Sequence, residues 1–166
     1  MNKKIRVIIA DDHRIVRAGI KQIIEECPDM AGVDEAGDGH ELIAKVRRNS
    51  YDAILLDVAM PGRDGLDILK QLKAEKCPVP VLMLSVYPEE QYAVRALRAG
   101  ASGYLTKAAA PETLIDAIRK ITGGKKYITE TIAERLADII DRESEKPPHE
   151  GLSDREFQIL CKIASG

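Results

Sequence analysis

Short apolar runs of strand length alternate with longer segments of helical period along most of the chain. The first run, Ile5–Ala10, is nearly continuous and rich in β-branched residues, which is typical of a strand buried on both faces. The next segment, 14–26, carries apolar residues at helical spacing and is stopped by Pro28. The predicted strands are Ile5–Ala10, Val33–Ala36, Ala53–Leu56, Val79–Leu84 and Ser102–Leu105. The predicted helices cover 14–26, 39–48, a segment from Leu66 that ends before Pro78, 89–99, and a segment that opens at Pro111.

This alternation of five strands with five helices predicts an α/β fold built on a doubly wound parallel sheet. Right-handed crossover connections would place helices on both faces of that sheet. The pair Gly123-Gly124 predicts the end of this first domain, which we assign to residues 1–123.

A linker is predicted at 124–151, and it contains an amphipathic helix at 129–142. Its last part is charged, contains proline and has no apolar period. Residues 152–166 then open with Ser153-Asp154-Arg155-Glu156, which has the form of a capping box and predicts a helix at 153–164. One helix of about three turns cannot bury its own apolar face. We therefore expect these residues to begin a second domain that is cut short in this chain.

The overall composition bounds the function without defining it. Hydrophobic residues make up 45% and charged residues 31%, and 25 basic against 27 acidic residues leave a net charge of −2. This balance gives the chain as a whole no attraction to nucleic acid or to an anionic membrane. Cys27, Cys77 and Cys161 are far apart and odd in number, which favours free thiols over disulfides or a zinc site. Because we find neither a signal peptide nor an apolar run of about 20 residues, we expect a soluble, cytoplasmic protein.

Polar side chains follow four of the predicted strands, at the edge where such sheets bind ligands. Strand one is followed by Asp11 and Asp12, strand three by Asp57, strand four by Ser85, and strand five shortly afterwards by Lys107. Converging carboxylates repel one another unless a cation lies between them. An oxygen-only site with few carboxylates suits Mg²⁺, and a lysine and a hydroxyl beside it suit a phosphoryl group. Asp57, near the middle of the sheet, is then the natural nucleophile for an aspartyl-phosphate.

Each of these residues also has an ordinary structural explanation. An aspartate after a strand is common as a turn former or a helix N-cap, which applies to Asp57. Ser85 could cap the loop that follows it, and Lys107 could be a solvated surface charge. His13 lies beside the acidic pair and could touch the site, but we favour its interpretation as a surface loop histidine. Only the joint placement of the polar residues at one edge favours the functional interpretation.

Four segments of the sequence resemble the receiver domain of bacterial two-component response regulators. They are the Asp11-Asp12 pair, LLDVAMPGRDG around Asp57, LMLS ending at Ser85 and GYLTK ending at Lys107, in the family's order and at its usual separations. The similarity covers roughly residues 4–123. It implies a flavodoxin-like sheet with the strand order 2-1-3-4-5.

The resemblance implies a phosphoacceptor site that uses Mg²⁺ as its cofactor. Asp57 would accept a phosphoryl group from a sensor histidine kinase. Mg²⁺ would be bound by Asp12 and Asp57, by Asp11 largely through water, and by the backbone carbonyl of Ala59. Such a protein is a regulator that phosphorylates itself from a phosphodonor, and we do not expect a conventional enzyme.

The resemblance also implies a conformational switch. Ser85 would move to hydrogen-bond the phosphoryl oxygen, Tyr104 would turn inward behind it, and Lys107 would pair with the phosphoryl charge. A tyrosine in a strand is otherwise most simply half-buried packing with its hydroxyl at the surface. The sequence departs from the family at Ala108, where many receivers have proline, so we expect a trans peptide bond after the lysine or an altered loop.

The C-terminal segment LSDREFQILCKIASG resembles the opening helix of the helix-turn-helix domain in NarL/LuxR-type regulators. In that class a later helix enters the major groove of DNA. We therefore expect promoter DNA to be a partner of the full-length protein but not of this truncated chain. The apolar stripes at 111–122 and 129–142 further suggest a homodimer face under the control of phosphorylation.

Two other functions are compatible with the residues. A Mg²⁺-dependent phosphohydrolase with an aspartyl nucleophile should carry a second acid two residues later, whereas that position is Ala59. A receiver could also act through protein contacts alone, with the C-terminal helix as an interaction element.

Overall fold

The computed structural model describes residues 3–143, so the predicted helix at 153–164 lies outside the described residues. The strands are β1 (Ile5–Ala10), β2 (Met30–Ala36), β3 (Ala53–Asp57), β4 (Val81–Ser85) and β5 (Gly103–Thr106). The helices are α1 (Arg14–Glu25), α2 (Gly39–Arg48), α3 (Gly65–Ala74), α4 (Glu89–Arg98), α5 (Pro111–Thr122) and α6 (Glu130–Glu143).

The five strands form one parallel sheet in the order β2-β1-β3-β4-β5. Strand β3 pairs with β1 on one side and with β4 on the other, so Asp57 ends the central strand. The predicted α/β fold, the parallel sheet and the order 2-1-3-4-5 are confirmed. Because all strands run the same way, their carboxyl ends meet at one edge of the sheet.

Side chains along the strands alternate between two buried hydrophobic layers. On β1, Val7 and Ile9 face the layer that α1 and α5 cover, whereas Ile8 and Ala10 face the layer that α2, α3 and α4 cover. All of these side chains are at most 1% exposed. Successive side chains of a strand point to opposite faces of the sheet, and here both faces are buried. Apolar residues are therefore favoured at every position, which explains the continuous apolar run in the sequence.

Two strands begin two or more residues away from their predicted starts. Strand β2 begins at Met30 and not at Val33, because Met30 is buried and pairs with β1. Strand β4 begins at Val81, two residues later than predicted. The reason is that Pro78 and Pro80 have no N–H group to donate to a neighbouring strand.

Helix α6 packs on the same side of the sheet as α4. Ile132 is 1% exposed and belongs to the layer under α4, whereas Ile140 on the same helix is 67% exposed. Before α6, Tyr127 forms a parallel bridge with Gly103 of β5, and a Cβ at Gly103 would lie 2.9 Å from the Cβ of Tyr127. This close approach requires glycine. The amphipathic helix predicted at 129–142 is confirmed, and part of its apolar stripe is buried in the core instead of being free for docking.

None of the helices in the described part of the chain is long and apolar enough to cross a membrane.

We expect Ile132→Ala to lower the free energy of unfolding by about 2–4 kcal/mol, because it leaves a cavity in a buried layer. Ile140→Ala is the matched control on the same helix. It removes the same atoms from a side chain that is 67% exposed, and it should change stability by less than about 0.5 kcal/mol. Urea unfolding followed by circular dichroism measures both changes. Equal effects of the two substitutions would contradict the packing of α6 on α4.

Candidate functional site

Three aspartates and a lysine meet at the carboxyl edge of the sheet. Asp11 directly follows β1, Asp57 is the last residue of β3, and Lys107 follows β5. The Nζ atom of Lys107 lies 2.7 Å from Asp11 Oδ2 and 3.2 Å from Asp57 Oδ2. Asp12 and His13 complete the group, since one ligand atom from each of these two residues, Asp11 and Asp57 lies within 4.8 Å of the others. The structure therefore brings together the acidic residues and the lysine that the sequence placed at this edge.

The same local turn follows both buried carboxylates. The N–H of Ala59 donates to Asp57 Oδ1 at 3.2 Å, and the N–H of His13 donates to Asp11 Oδ1 at 2.8 Å. Asp57 is 2% exposed and Asp11 is fully buried. In each case an aspartate binds the backbone two residues later, which is the ordinary turn-forming habit of this residue. The structural and the functional interpretation of Asp57 are therefore both supported by the geometry.

Gly65 is a residue of the site that the sequence analysis did not single out. Its N–H donates to the carbonyl of Val58 at 2.7 Å, and a Cβ at this position would lie 2.2 Å from the carbonyl oxygen of Asp57. Any side chain here would push α3 away from the strand end that carries Asp57. The signal in the sequence was the pair Asp64-Gly65, in which the Asp64 side chain caps α3 by accepting a hydrogen bond from the N–H of Asp67 at 3.0 Å.

Burial dominates the electrostatics of the site. It raises the pKa of Asp57, and the charge of Asp11 adds to this, whereas Lys107 and the N–H of Ala59 lower it, which leaves a pKa of about 6. Burial lowers the pKa of Lys107, but its hydrogen bond to Asp11 and the charges of both carboxylates outweigh burial and raise it. Lys107 is therefore a permanent positive charge at neutral pH. The peptide bond between Lys107 and Ala108 is trans, which is one of the two outcomes that the sequence predicted.

The donor atoms of the site fit a divalent cation. Asp11 Oδ2, Asp12 Oδ1 and Asp57 Oδ2 are buried oxygens, and their nearest polar contacts are cationic or titratable side chains. Lys107 contacts the first and the third, and His13 Nδ1 lies 3.1 Å from Asp12 Oδ1. Buried carboxylates this close together repel one another unless enough positive charge lies between them. They are also the ligands that a hard cation such as Mg²⁺ prefers. The cluster could therefore hold such an ion.

Ser85 and Tyr104 both contact the backbone of Tyr87. Ser85 is 1% exposed, and its Oγ accepts a hydrogen bond from the N–H of Tyr87 at 2.9 Å. Tyr104 is fully buried, and its hydroxyl donates to the carbonyl of Tyr87 at 2.9 Å. The alternative of a half-buried tyrosine with a surface hydroxyl is wrong, because the loop after β4 closes over the ring and supplies an acceptor. One residue of this loop thus connects the hydroxyl at the end of β4 with the tyrosine of β5.

His13 is closer to the site than the sequence suggested. Its side chain is 64% exposed, yet Nδ1 lies 3.2 Å from Asp11 Oδ1 and 3.1 Å from Asp12 Oδ1. The turn after β1 folds the ring back over the carboxylates. His13 is thus an exposed loop histidine, as interpreted, and it also contacts the site, which the sequence had left open.

This fold and site define a signal-receiver domain. Residues 7–119 match the family described as the response regulator receiver domain. The chain is 37% identical over 163 residues to the response regulator UvrY of Escherichia coli strain K12, which covers 98% of this chain and 75% of UvrY. It is 34% identical over 162 residues to the response regulator GacA of Pseudomonas aeruginosa, covering 97% of this chain and 76% of GacA. The chain belongs to the response regulator receiver family, within regulators of the NarL/LuxR type.

Solved structures agree with this assignment. The crystal structure of a LuxR-family two-component response regulator from Aurantimonas sp. SI85-9A1 has a TM-score of 0.75 and 31% identity, and the match covers 83% of this chain and 99% of that one. RcsB from Salmonella enterica serovar Typhimurium, bound to promoter P1flhDC in the presence of the phosphomimetic BeF3⁻, has a TM-score of 0.74 and 27% identity. That match covers 99% of this chain and 78% of RcsB.

We expect Asp57→Asn to stabilise the metal-free protein at neutral pH, because it removes a buried charge. The pKa of Asp57 is raised from 3.8 to about 6 in the native state. Between these two pH values the native state therefore keeps a proton that the unfolded chain has released. Below the unfolded pKa of 3.8 the carboxyl is neutral in both states and does not lower the free energy of unfolding. Its destabilising effect grows as the pH rises and levels off above the native pKa. At a pH above the native pKa, the free energy of unfolding of Asp57→Asn should exceed that of the native protein by up to about 3 kcal/mol.

Urea unfolding in a chelator, at about pH 4 and about pH 7.5, measures this difference. Asp116→Asn on the exposed side of α5 is the control, and it should show no comparable gain. A stabilisation by Asp57→Asn that did not change with pH would argue against a desolvated carboxylate.

Proposed function

We propose that Asp57 is the phosphoacceptor of a two-component phosphorelay and receives its phosphoryl group from the phosphohistidine of a sensor histidine kinase. The observation that carries this proposal is the buried Asp57 carboxylate, with its Oδ2 atom 3.2 Å from the ammonium of Lys107. A pKa of about 6 leaves Asp57 ionised, and therefore nucleophilic, at neutral pH. A permanent cation beside it supports the charge of an incoming phosphoryl group.

In the proposed transfer, an Asp57 carboxylate oxygen forms a bond to phosphorus while the bond from phosphorus to the imidazole nitrogen breaks. The imidazole leaves with the electron pair of that bond and takes up a proton. The Lys107 ammonium then pairs with the phosphoryl oxygens, and its contact with Asp11 keeps it at the carboxyl edge of the sheet. The dry surroundings of Asp57 strengthen each of these electrostatic interactions.

We propose Mg²⁺ as the cofactor. Asp12, Asp57 and the backbone carbonyl of Ala59 would hold it directly, and Asp11 would act largely through water. Bound Mg²⁺ would neutralise charge on the transferred phosphoryl group. The convergence of the Asp11, Asp12 and Asp57 carboxylates, with Lys107 as the ammonium group beside two of them, supports this assignment.

The proposed switch acts through the backbone of Tyr87. When Ser85 turns to a phosphoryl oxygen, the hydrogen bond from the N–H of Tyr87 to Ser85 Oγ breaks. The carbonyl of Tyr87 accepts the hydrogen bond from the Tyr104 hydroxyl, so a movement of Tyr87 also affects Tyr104. The rings of Tyr87 and Tyr92 lie 4.9 Å apart, and Tyr92 is a buried residue of α4. Because α4 packs against α6, a movement of the loop after β4 would reach the linker.

The proposed output is control of promoter DNA by the full-length protein. Residues 1–123 would be the receiver, 124–151 the linker, and 152–166 the start of a helix-turn-helix domain. The RcsB structure bound to a promoter in the presence of a phosphomimetic supports this output, since RcsB aligns with 99% of this chain. Dimerisation under the control of phosphorylation would be the simplest way to reach paired half-sites on DNA.

Intact-mass spectrometry after incubation with acetyl phosphate and Mg²⁺ tests the phosphoacceptor. We expect one phosphoryl adduct on the native protein and none on Asp57→Asn, a variant of nearly the same shape that has no nucleophilic carboxylate. Replacement of Mg²⁺ by a chelator should also abolish the adduct.

An adduct that persisted in Asp57→Asn would place the phosphoryl group elsewhere. No adduct on the folded native protein, with acetyl phosphate or with a phosphohistidine donor, would rule out phosphotransfer to this receiver.

A further inference from the structure

His13 adds a nitrogen atom to a group of oxygen donors. One of its ring nitrogens lies, together with one carboxylate oxygen each from Asp11, Asp12 and Asp57, in a group of atoms that are all within 4.8 Å of one another. The proposed Mg²⁺ site uses only the oxygens, so the function described above leaves this nitrogen without a role. Since the His13 side chain is 64% exposed, its ring can adjust at the solvent side of the cluster.

The distances around Nδ1 match the edges of an octahedral metal site. Nδ1 lies 3.2 Å from Asp11 Oδ1 and 3.1 Å from Asp12 Oδ1. Adjacent ligands of an octahedral ion with bonds of about 2.1 Å lie about 3.0 Å apart. An ion placed between these atoms could therefore bind Nδ1 and a carboxylate oxygen together with only a small movement of the side chains.

The chemistry of the donors decides which ions would use this nitrogen. Mg²⁺ is a hard cation that prefers oxygen, so it gains little from an imidazole. Imidazole suits later first-row dications such as Ni²⁺, and the general order of affinity rises from Mn²⁺ through Co²⁺ to Ni²⁺. In a site made of three carboxylates and one imidazole, the imidazole should therefore add more to the affinity for Ni²⁺ than to the affinity for Mg²⁺.

The geometry assigns His13 as a nitrogen ligand that lets this receiver bind transition-metal dications such as Ni²⁺ in place of Mg²⁺. This inference rests on the proposed metal site at Asp11, Asp12 and Asp57, and it adds to it the residue that sets metal selectivity. The competing explanation is that Nδ1 only donates a hydrogen bond to the carboxylates and orients them. In that role His13 would raise the binding affinity for every metal ion to a similar degree.

His13→Asn separates the two explanations. Asparagine keeps an N–H donor close to the position of Nδ1, but its amide nitrogen has no lone pair available for a metal ion. It is also favoured at the residue that precedes a helix, and His13 holds that place before α1, so the variant should fold. Isothermal titration calorimetry on the whole chain compares Ni²⁺ with Mg²⁺ binding, and pulsed electron paramagnetic resonance of bound Mn²⁺ detects a coordinated nitrogen directly.

Two controls isolate the site. His40→Asn changes another exposed histidine, at the start of α2, and should leave both affinities unchanged. Asp57→Asn removes a central ligand of the site. Ni²⁺ binding that remains in this variant measures binding elsewhere on the chain, and it is subtracted from the binding of the native protein.

We expect His13→Asn to weaken Ni²⁺ binding at least about 10-fold and Mg²⁺ binding no more than about 3-fold. The nitrogen coupling of bound Mn²⁺ should be present in the native protein and absent from the variant. An equal loss of Ni²⁺ and Mg²⁺ affinity would make His13 a positioning residue and overturn the inference, as would unchanged Ni²⁺ affinity. Failure of the native protein to bind either ion would overturn the proposed metal site as well.

Discussion

The contact of one lysine with two buried carboxylates is the constraint on which the rest of the site depends. Lys107 lies 2.7 Å from Asp11 and 3.2 Å from Asp57, and neither carboxylate has appreciable access to solvent. One positive charge cannot fully offset two negative charges out of water, and Asp12 adds a third nearby. The fold thus accepts a local cost in stability, and the same imbalance makes the site suited to a cation and a phosphoryl group.

The parallel sheet supplies this arrangement, and the loop after β4 connects it to the surface. Strand ends bring Asp11, Asp57 and Lys107 together from distant parts of the chain. Tyr87 then bonds through its N–H to Ser85 and through its carbonyl to Tyr104. Helix α4, which follows this loop, packs on α6, so packing contacts extend from the loop to α6.

The fold and most of the site could be predicted from the sequence because both depend on period and order along the chain. Asp11, Asp57 and Lys107 could be placed at one edge as soon as the strands were recognised. Close contacts could not be predicted in this way. Nothing in the sequence pattern shows that a Cβ at Gly65 would meet the carbonyl of Asp57, or that the turn after β1 returns His13 to the carboxylates. Such contacts depend on distances of a few tenths of an ångström, which a pattern of residue types does not record.

The most direct test of this account is a titration of the Asp57 side-chain carboxyl by carbon-detected nuclear magnetic resonance in metal-free protein. Burial beside Asp11, only partly offset by Lys107, predicts a pKa of about 6. Lys107→Met should raise the pKa further, because it removes the cation that lowers it. An Asp57 pKa near its ordinary value of 3.8, unchanged in Lys107→Met, would contradict the charge imbalance from which the site is derived.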